Sequence, residues 1–239
     1  MIEHEIVIGA RFNGPPGSGN GGYSCAMLGQ FIDGPSRVRL LSPPPLDKTL
    51  TAVVTDDGRV ELFDGDIKLA TAAPEVLEIE IPPAPSLEQA TRGRENFPFW
   101  EDHHIPGCFV CGTDRPHPDG LDLQTGPVHD FNLVAAPWTP PPDLVDENGN
   151  ALPEVVWSAL DCPGCYGALG DRQKWVLLGE MQAELYAPVP ANETHVVYAW
   201  PLGVDGRKNY GGVAVANQEG EVLAASLTNW IELKSVPPS

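Results

Sequence analysis

The sequence predicts an α+β protein in which one unit, a loop, a short helix and then several antiparallel strands, is used twice. Two alignments within the chain predict it. RVRLLSPPPLDKTLTAVV (residues 37–54) lines up with QAELYAPVPANETHVVYA (residues 182–199), and Pro43 and Pro45 fall on Pro188 and Pro190. IKLATAAPEVLEI (residues 67–79) lines up with EVLAASLTNWIEL (residues 221–233), each after a glycine-containing turn. A unit that recurs in the same order implies a pseudo-symmetric pair rather than two unrelated domains.

Length and composition agree. The 239 residues suffice for one large domain or two of about 100 residues. A hydrophobic fraction of 42% with 25 Gly and 26 Pro describes a globular chain rich in turns. The net charge of −19, with only 14 Lys and Arg, argues against nucleic acid or an anionic membrane as main partner. It leaves room for one small anionic pocket. No apolar run approaches the ~20 residues of a membrane span, and MIEHEIVIGARF lacks a basic-then-apolar leader, so a cytoplasmic address is expected. Five scattered Cys fit reduced thiols better than a disulfide scaffold.

Taken in order, HEIVIGARF (residues 4–12) alternates as a first strand. A glycine-rich loop (residues 12–23) leads into a short apolar helix, SCAMLGQFI. Gly21 and Gly22 stand at its entrance, where N–H groups have no helical partner. They form either a flexible helix start or a donor nest for an oxygen or phosphate. Strand-like runs follow at 37–42, 50–74 and 76–81, with Asp-Asp-Gly and Asp-Gly as hairpin signals. After Pro82 the chain turns Pro-rich and charged. The expected division is a first unit at 1–83, a linker at 84–104 and a second unit at 105–239.

The second unit opens with CFVCGTDRPHPDGLDLQ (residues 108–124), then a strand FNLVAAPW (residues 131–138) and a Pro- and Asp-rich loop. Next comes EVVWSALDCPGC (residues 154–165), then strands and tight turns as far as Leu233. In that helix Val155, Val156, Ala159 and Leu160 fall on one face, and Asp161 is set into an apolar run. A buried carboxylate needs a partner, a raised pKa or a job. Pro163 sits badly inside a helix, so Asp161 either lies in a pocket wall or caps a helix end.

A helix followed by long antiparallel strands, twice, resembles the double hotdog, in which two antiparallel sheets each wrap a central helix. CFVCGTDRPHPDGLDL (residues 108–123) resembles the Cys-Phe-x-Cys-Gly…Gly-Leu entry strand of hotdog thioesterases. SALD (residues 158–161) is similar to the acid-bearing part of the hotdog helix, and NGGYSCAML (residues 20–28) to its His-Gly-Gly entrance, with Asn20 in place of His. The overall pattern is similar to the acyl-CoA thioesterase II type and covers nearly the whole chain.

The resemblance implies hydrolysis of an acyl-CoA or related thioester without a cofactor or metal. It places the catalytic acid, as base or nucleophile, on Asp161, and the amide that holds the attacking water near Asn229. Asn20, Gly21 and Gly22 become candidate oxyanion and substrate contacts. The hydroxyl of the family falls near Leu178, which has none, with Ser158 and Ser226 as substitutes; the first-half acid position falls near Gly29. Arg207 and Lys208, the only adjacent basic pair, suit coenzyme A phosphates or are a solvated turn.

Other readings stay open: an acyl or acyl-CoA binding protein without turnover, and a hydratase or dehydratase, which wants a His beside the Asp. Cys108-x-x-Cys111 and Cys162-x-x-Cys165, with His103 and His104 nearby, have the spacing of a structural zinc site but a gap of about 50 residues between pairs. His103, His104 and His117 are expected to face solvent. Trp157, Trp175, Trp200 and Trp230 either fill a core or line an acyl tunnel. Sheet edges leave room for a homo-oligomer, although two units in one chain already mimic a dimer.

Overall fold

The computed structural model describes residues 1–115, 118–129, 131–170, 172 and 174–235. In the first half, alternating apolar residues form β1 (Ile2–Val7), then β2 (Ser36–Leu40), β3 (Thr49–Val54), β4 (Val60–Asp64) and β5 (Ile67–Pro74). Between β1 and β2 runs α1 (Gly21–Gly29), capped by Asn20, whose Oδ1 accepts from the Tyr23 N–H. The connecting segment holds α2 (Leu87–Glu95). In the second half come β6 (Gly126–Pro127), β7 (Val134–Trp138), α3 (Pro153–Ala159) and α4 (Cys162–Leu169). The long strands β8 (Val176–Leu185), β9 (His195–Asp205), β10 (Lys208–Ala216) and β11 (Val222–Glu232) complete it.

Where the sequence predicts two sheets, the strands form one 11-stranded antiparallel sheet, ordered β1-β3-β4-β5-β2-β8-β11-β10-β9-β7-β6. The halves fuse because β2 and β8 pair edge to edge, so neither leaves its N–H and C=O groups open. The register agrees with the internal repeat. Arg37 lies opposite Gln182, its own equivalent, and Ser36 opposite Ala183 matches Val38 opposite Met181.

One face of the sheet carries the main core. Leu28 of α1, Val155 and Leu160 of the α3 region, and Val197, Val213 and Val215 of β9 and β10 are buried there together. The intervening residues Val196, Tyr198, Ala214 and Ala225 point the other way, under α2, with Leu77 and Ala90. The second-half strands are thus covered on both faces and read as nearly continuous apolar runs.

Three expectations are corrected. Residues 76–81 alternate but form no strand. Leu77, Ile79 and Ile81 pack onto the α2 face as an extended strap, held by Gln182 Nε2 donating to Val76 O and Tyr198 Oη donating to Pro82 O. A strap crossing a face has no strand edge to pair with, and the prolines after it supply no donors. The expected linker at 84–104 contains α2, nucleated by a Ser86–Gln89 capping box and seated on β6, β7 and β9. The expected entry strand at 108–123 forms no strand among its described residues, 108–115 and 118–123, which are tied by Phe109 N–H to Asn13 O and Leu121 N–H to Phe109 O. His117 lies outside the described residues. No helix among the described residues is long and apolar enough to cross a membrane.

Candidate active site

The expected single helix at 154–165 is broken at Leu160 and Asp161, and Pro163 lies in the first turn of α4, where its missing N–H costs nothing. Asp161 occupies the cap position of α4, yet its side chain does not cap that helix. It reaches across to the first half. Oδ2 accepts from Asn20 Nδ2 at 2.8 Å and from the Gly22 N–H at 2.9 Å. Glycine at 22 permits the approach: a Cβ there would meet Trp157 O at 2.5 Å and Asp161 Cβ at 2.6 Å.

Asp161 is 2% exposed, and among the described residues its Oδ1 has no hydrogen-bond partner. Burial pushes its carboxyl up to about 7, against the pull of the Gly22 and Asn20 hydrogen bonds. It lines a cavity of about 320 Å³ together with Asn20, Gly21 and Leu178. That size lies at the low end for small-molecule sites. Trp175 and Trp230 also line the cavity, and Trp230 Nε1 is a second buried polar atom there with no partner among the described residues. The tryptophans are thereby separated: Trp157 packs against α1 at Gly29, and Trp200 lies on the α2 face.

The structure brings Asn20, Gly21, Gly22 and Asp161 together, but not Asn229. Along β11, Ser226 Oγ donates to Leu160 O and Thr228 packs against Gly164, while Ala225 and Leu227 lie on the α2 face. Alternation turns Asn229 to that second face, away from Asp161. The hydroxyls weighed as substitutes are engaged elsewhere, Ser226 on Leu160 O and Ser158 on Glu154 O.

Arg207 and Lys208 sit on the β9–β10 hairpin and do not line the cavity. Arg207 Nη1 donates to Glu232 O, and Glu232 pairs at 2.5 Å with Lys174, which does line it. The cations of the wall are Arg172 and Lys174.

Sequence reasoning missed the opposite wall. His103 does not face solvent: its Nδ1 accepts from the Ile105 N–H, and its Nε2 lies 2.9 Å from Tyr166 Oη. His104 is exposed but stacks on Trp175 with ring centroids 4.3 Å apart. The Cys108 and Cys111 turn folds against α1 through Phe109, which meets Tyr23 of α1 edge-on at 6.4 Å and Phe12 edge-on at 5.1 Å. That brings Cys108 Sγ to 3.8 Å from Cys162 Sγ. No local signal in the chain announces either contact, because each joins residues more than 50 positions apart.

No family model matches the chain, and no curated protein matches it. Solved structures do. The TesB protein of Mycobacterium avium subsp. paratuberculosis superposes with a TM-score of 0.62 at 13% identity, over 99% of this chain and 93% of its own. An acyl-CoA thioesterase II from Mycobacterium marinum gives 0.60 at 12% identity, over 97% and 93%. A hotdog-fold protein of unknown function from Alicyclobacillus acidocaldarius gives 0.59 at 12%, over 98% and 94%. The fold is the hotdog. This chain shares it, over nearly its whole length, with thioesterases of the TesB-like II type.

Proposed function

We propose that the protein is an acyl-CoA thioesterase-type hydrolase that cleaves a thioester in this cavity with Asp161 as general base. The observation that carries the reading is the Asp161 carboxylate. One oxygen is fixed by two donors and the other is unpartnered, in the wall of a largely apolar cavity. The name of the Mycobacterium marinum neighbour supports the substrate class. The same reading treats the chain as tandem hotdog units, 1–83 and 105–239, and the Arg37–Gln182 pairing of repeat equivalents supports that division.

In this scheme Asp161 Oδ1 takes a proton from water as the water oxygen bonds to the thioester carbonyl carbon. The carbonyl electrons move onto oxygen, where the N–H of Gly21, the first residue of α1, is the donor we assign. Collapse breaks the C–S bond. The thiolate leaves with the proton held by Asp161, giving a carboxylic acid and a free thiol. Asn20 and Gly22 position the acid rather than contact substrate. Arg172 and Lys174 replace Arg207 and Lys208 as the cations nearest a coenzyme A phosphate.

The apolar Leu178 where a hydroxyl was expected favours one second reading, acyl-CoA binding without turnover. The deciding experiment is thiol release from short, aromatic and long acyl-CoAs by the parent and by Asp161→Asn. We expect turnover that falls by about 10²–10⁴ in the variant. No turnover on any acyl chain overturns the hydrolase reading; equal rates overturn the role of Asp161.

A further inference from the structure

The five cysteines are reduced, and three of them converge. The Sγ atoms of Cys108, Cys111 and Cys162 all lie within 4.8 Å of one another, and all three residues are buried. Cys25 and Cys165 stand outside this triangle. The thioester chemistry proposed above uses none of the three.

The local backbone around Cys108 sets the positions of two of the sulfurs. Cys108-Phe-Val-Cys111 folds into a tight turn closed by the Gly112 N–H on Cys108 O at 3.0 Å. A Cβ at residue 112 would stand 2.5 Å from that carbonyl oxygen, so the turn requires glycine. Asn20 Nδ2 lies 3.9 Å from Cys162 Sγ. Cys162 is also the first residue of α4, where the positive end of the helix favours a thiolate.

Two separations decide what the triangle holds. A disulfide needs sulfurs about 2.05 Å apart, and Cys108 and Cys162 stand at 3.8 Å. Two thiolates each about 2.3 Å from a tetrahedral zinc ion stand about 3.8 Å from each other. From this geometry we infer that Cys108, Cys111 and Cys162 together bind a zinc-class divalent cation, with the fourth coordination place turned toward the cavity. The fourth place follows from position, because all three residues line that cavity beside Asp161. Binding releases the thiol protons and changes no oxidation state. A dication would offset the charge of the three thiolates. It would also clasp the turn at 108–111 to the start of α4, elements that no strand pairing joins. This inference is independent of the hydrolase reading.

The test uses the full chain purified without chelator, then given Zn²⁺ or Co²⁺ and desalted. We expect about one tightly held zinc per chain and, with cobalt, the intense thiolate-to-metal charge-transfer absorption of sulfur ligation. Cys111→Ser and Cys162→Ser should lose both, while Cys25→Ser, on α1 outside the triangle, should keep both. The parent protein alone suffices if a serine variant does not fold. Less than about a tenth of an ion per chain, or cobalt without the charge-transfer band, overturns the proposal. An undiminished band in Cys111→Ser does the same. So does a denatured, chelated sample in which fewer than the five thiols titrate, which reveals a disulfide instead.

Discussion

Asn20 Nδ2 donates to Asp161 Oδ2 at 2.8 Å, across 141 positions of sequence and from one half of the repeat to the other. The same Asn20 caps α1 through its Oδ1, so one side chain orders the helix entrance and the acid at once. Asn20→Ala removes both bonds. A hydrogen bond to a buried charged group is worth about 1.5–3 kcal/mol and an N-cap about 1 kcal/mol. Chemical denaturation should show a loss of about 2–4 kcal/mol, with thiol-release activity falling in parallel. A double-mutant cycle with Asp161→Asn should return a coupling above about 0.5 kcal/mol. Additive losses would mean that the contact contributes nothing of its own.

Gly22 supports the same junction by having no side chain. Local helix propensity predicts that alanine in α1 stabilises by about 0.5–1 kcal/mol. Packing predicts the opposite, since the new Cβ would meet Trp157 O and the Asp161 Cβ. Gly22→Ala should destabilise by about 1–3 kcal/mol or more. Gly9→Ala, whose Cβ would find only the Phe12 ring at 3.8 Å, should stay within about 0.5 kcal/mol. The sign of the Gly22 result in thermal melts decides between propensity and packing.

Much of this was legible in the chain because it is local or repeated. The aligned repeats made Arg37 and Gln182 equivalent positions, and an acid inside an apolar run marked Asp161. What was hidden depends on long-range geometry. Strand alternation along β11 assigns Ser226 and Thr228 to one face and Asn229 to the other, and only the position of α3 and α4 shows which face matters. The run at 76–81 has the period of a strand, but period two describes any extended segment with one buried side, paired or not. Cys-x-x-Cys spacing suggested a pair of pairs, whereas the fold joins one whole pair to a single member of the other.

The strap at 76–81 offers a separate check on that point. Its carbonyls at Val76 and Pro82 are held by side chains of the sheet, from Gln182 and Tyr198. Tyr198→Phe keeps the ring in its place and deletes one hydrogen bond. The expected cost is about 0.5–1.5 kcal/mol. Amide exchange should rise in the strap ahead of the sheet beneath it, and uniform exchange would contradict a strap tethered at these points.

His103 supplies the pH prediction. Burial lowers its pKa below the ordinary 6.5, which keeps the ring neutral between the Ile105 N–H and Tyr166 Oη. The nearby charges of Cys108 and Asp114 push the other way, and His104 adds to the lowering. Because the folded value is depressed, the unfolded chain binds the proton first as pH falls. Stability from this group is complete above 6.5 and is lost as pH drops through the folded value. Thermal unfolding should therefore move to lower temperature on acidification below 6.5, and His103→Gln should flatten that part of the profile while matching the parent's slope above neutrality. An identical acid slope in the variant would place the sensitivity elsewhere, because a neutral glutamine in the same position has no proton to take up.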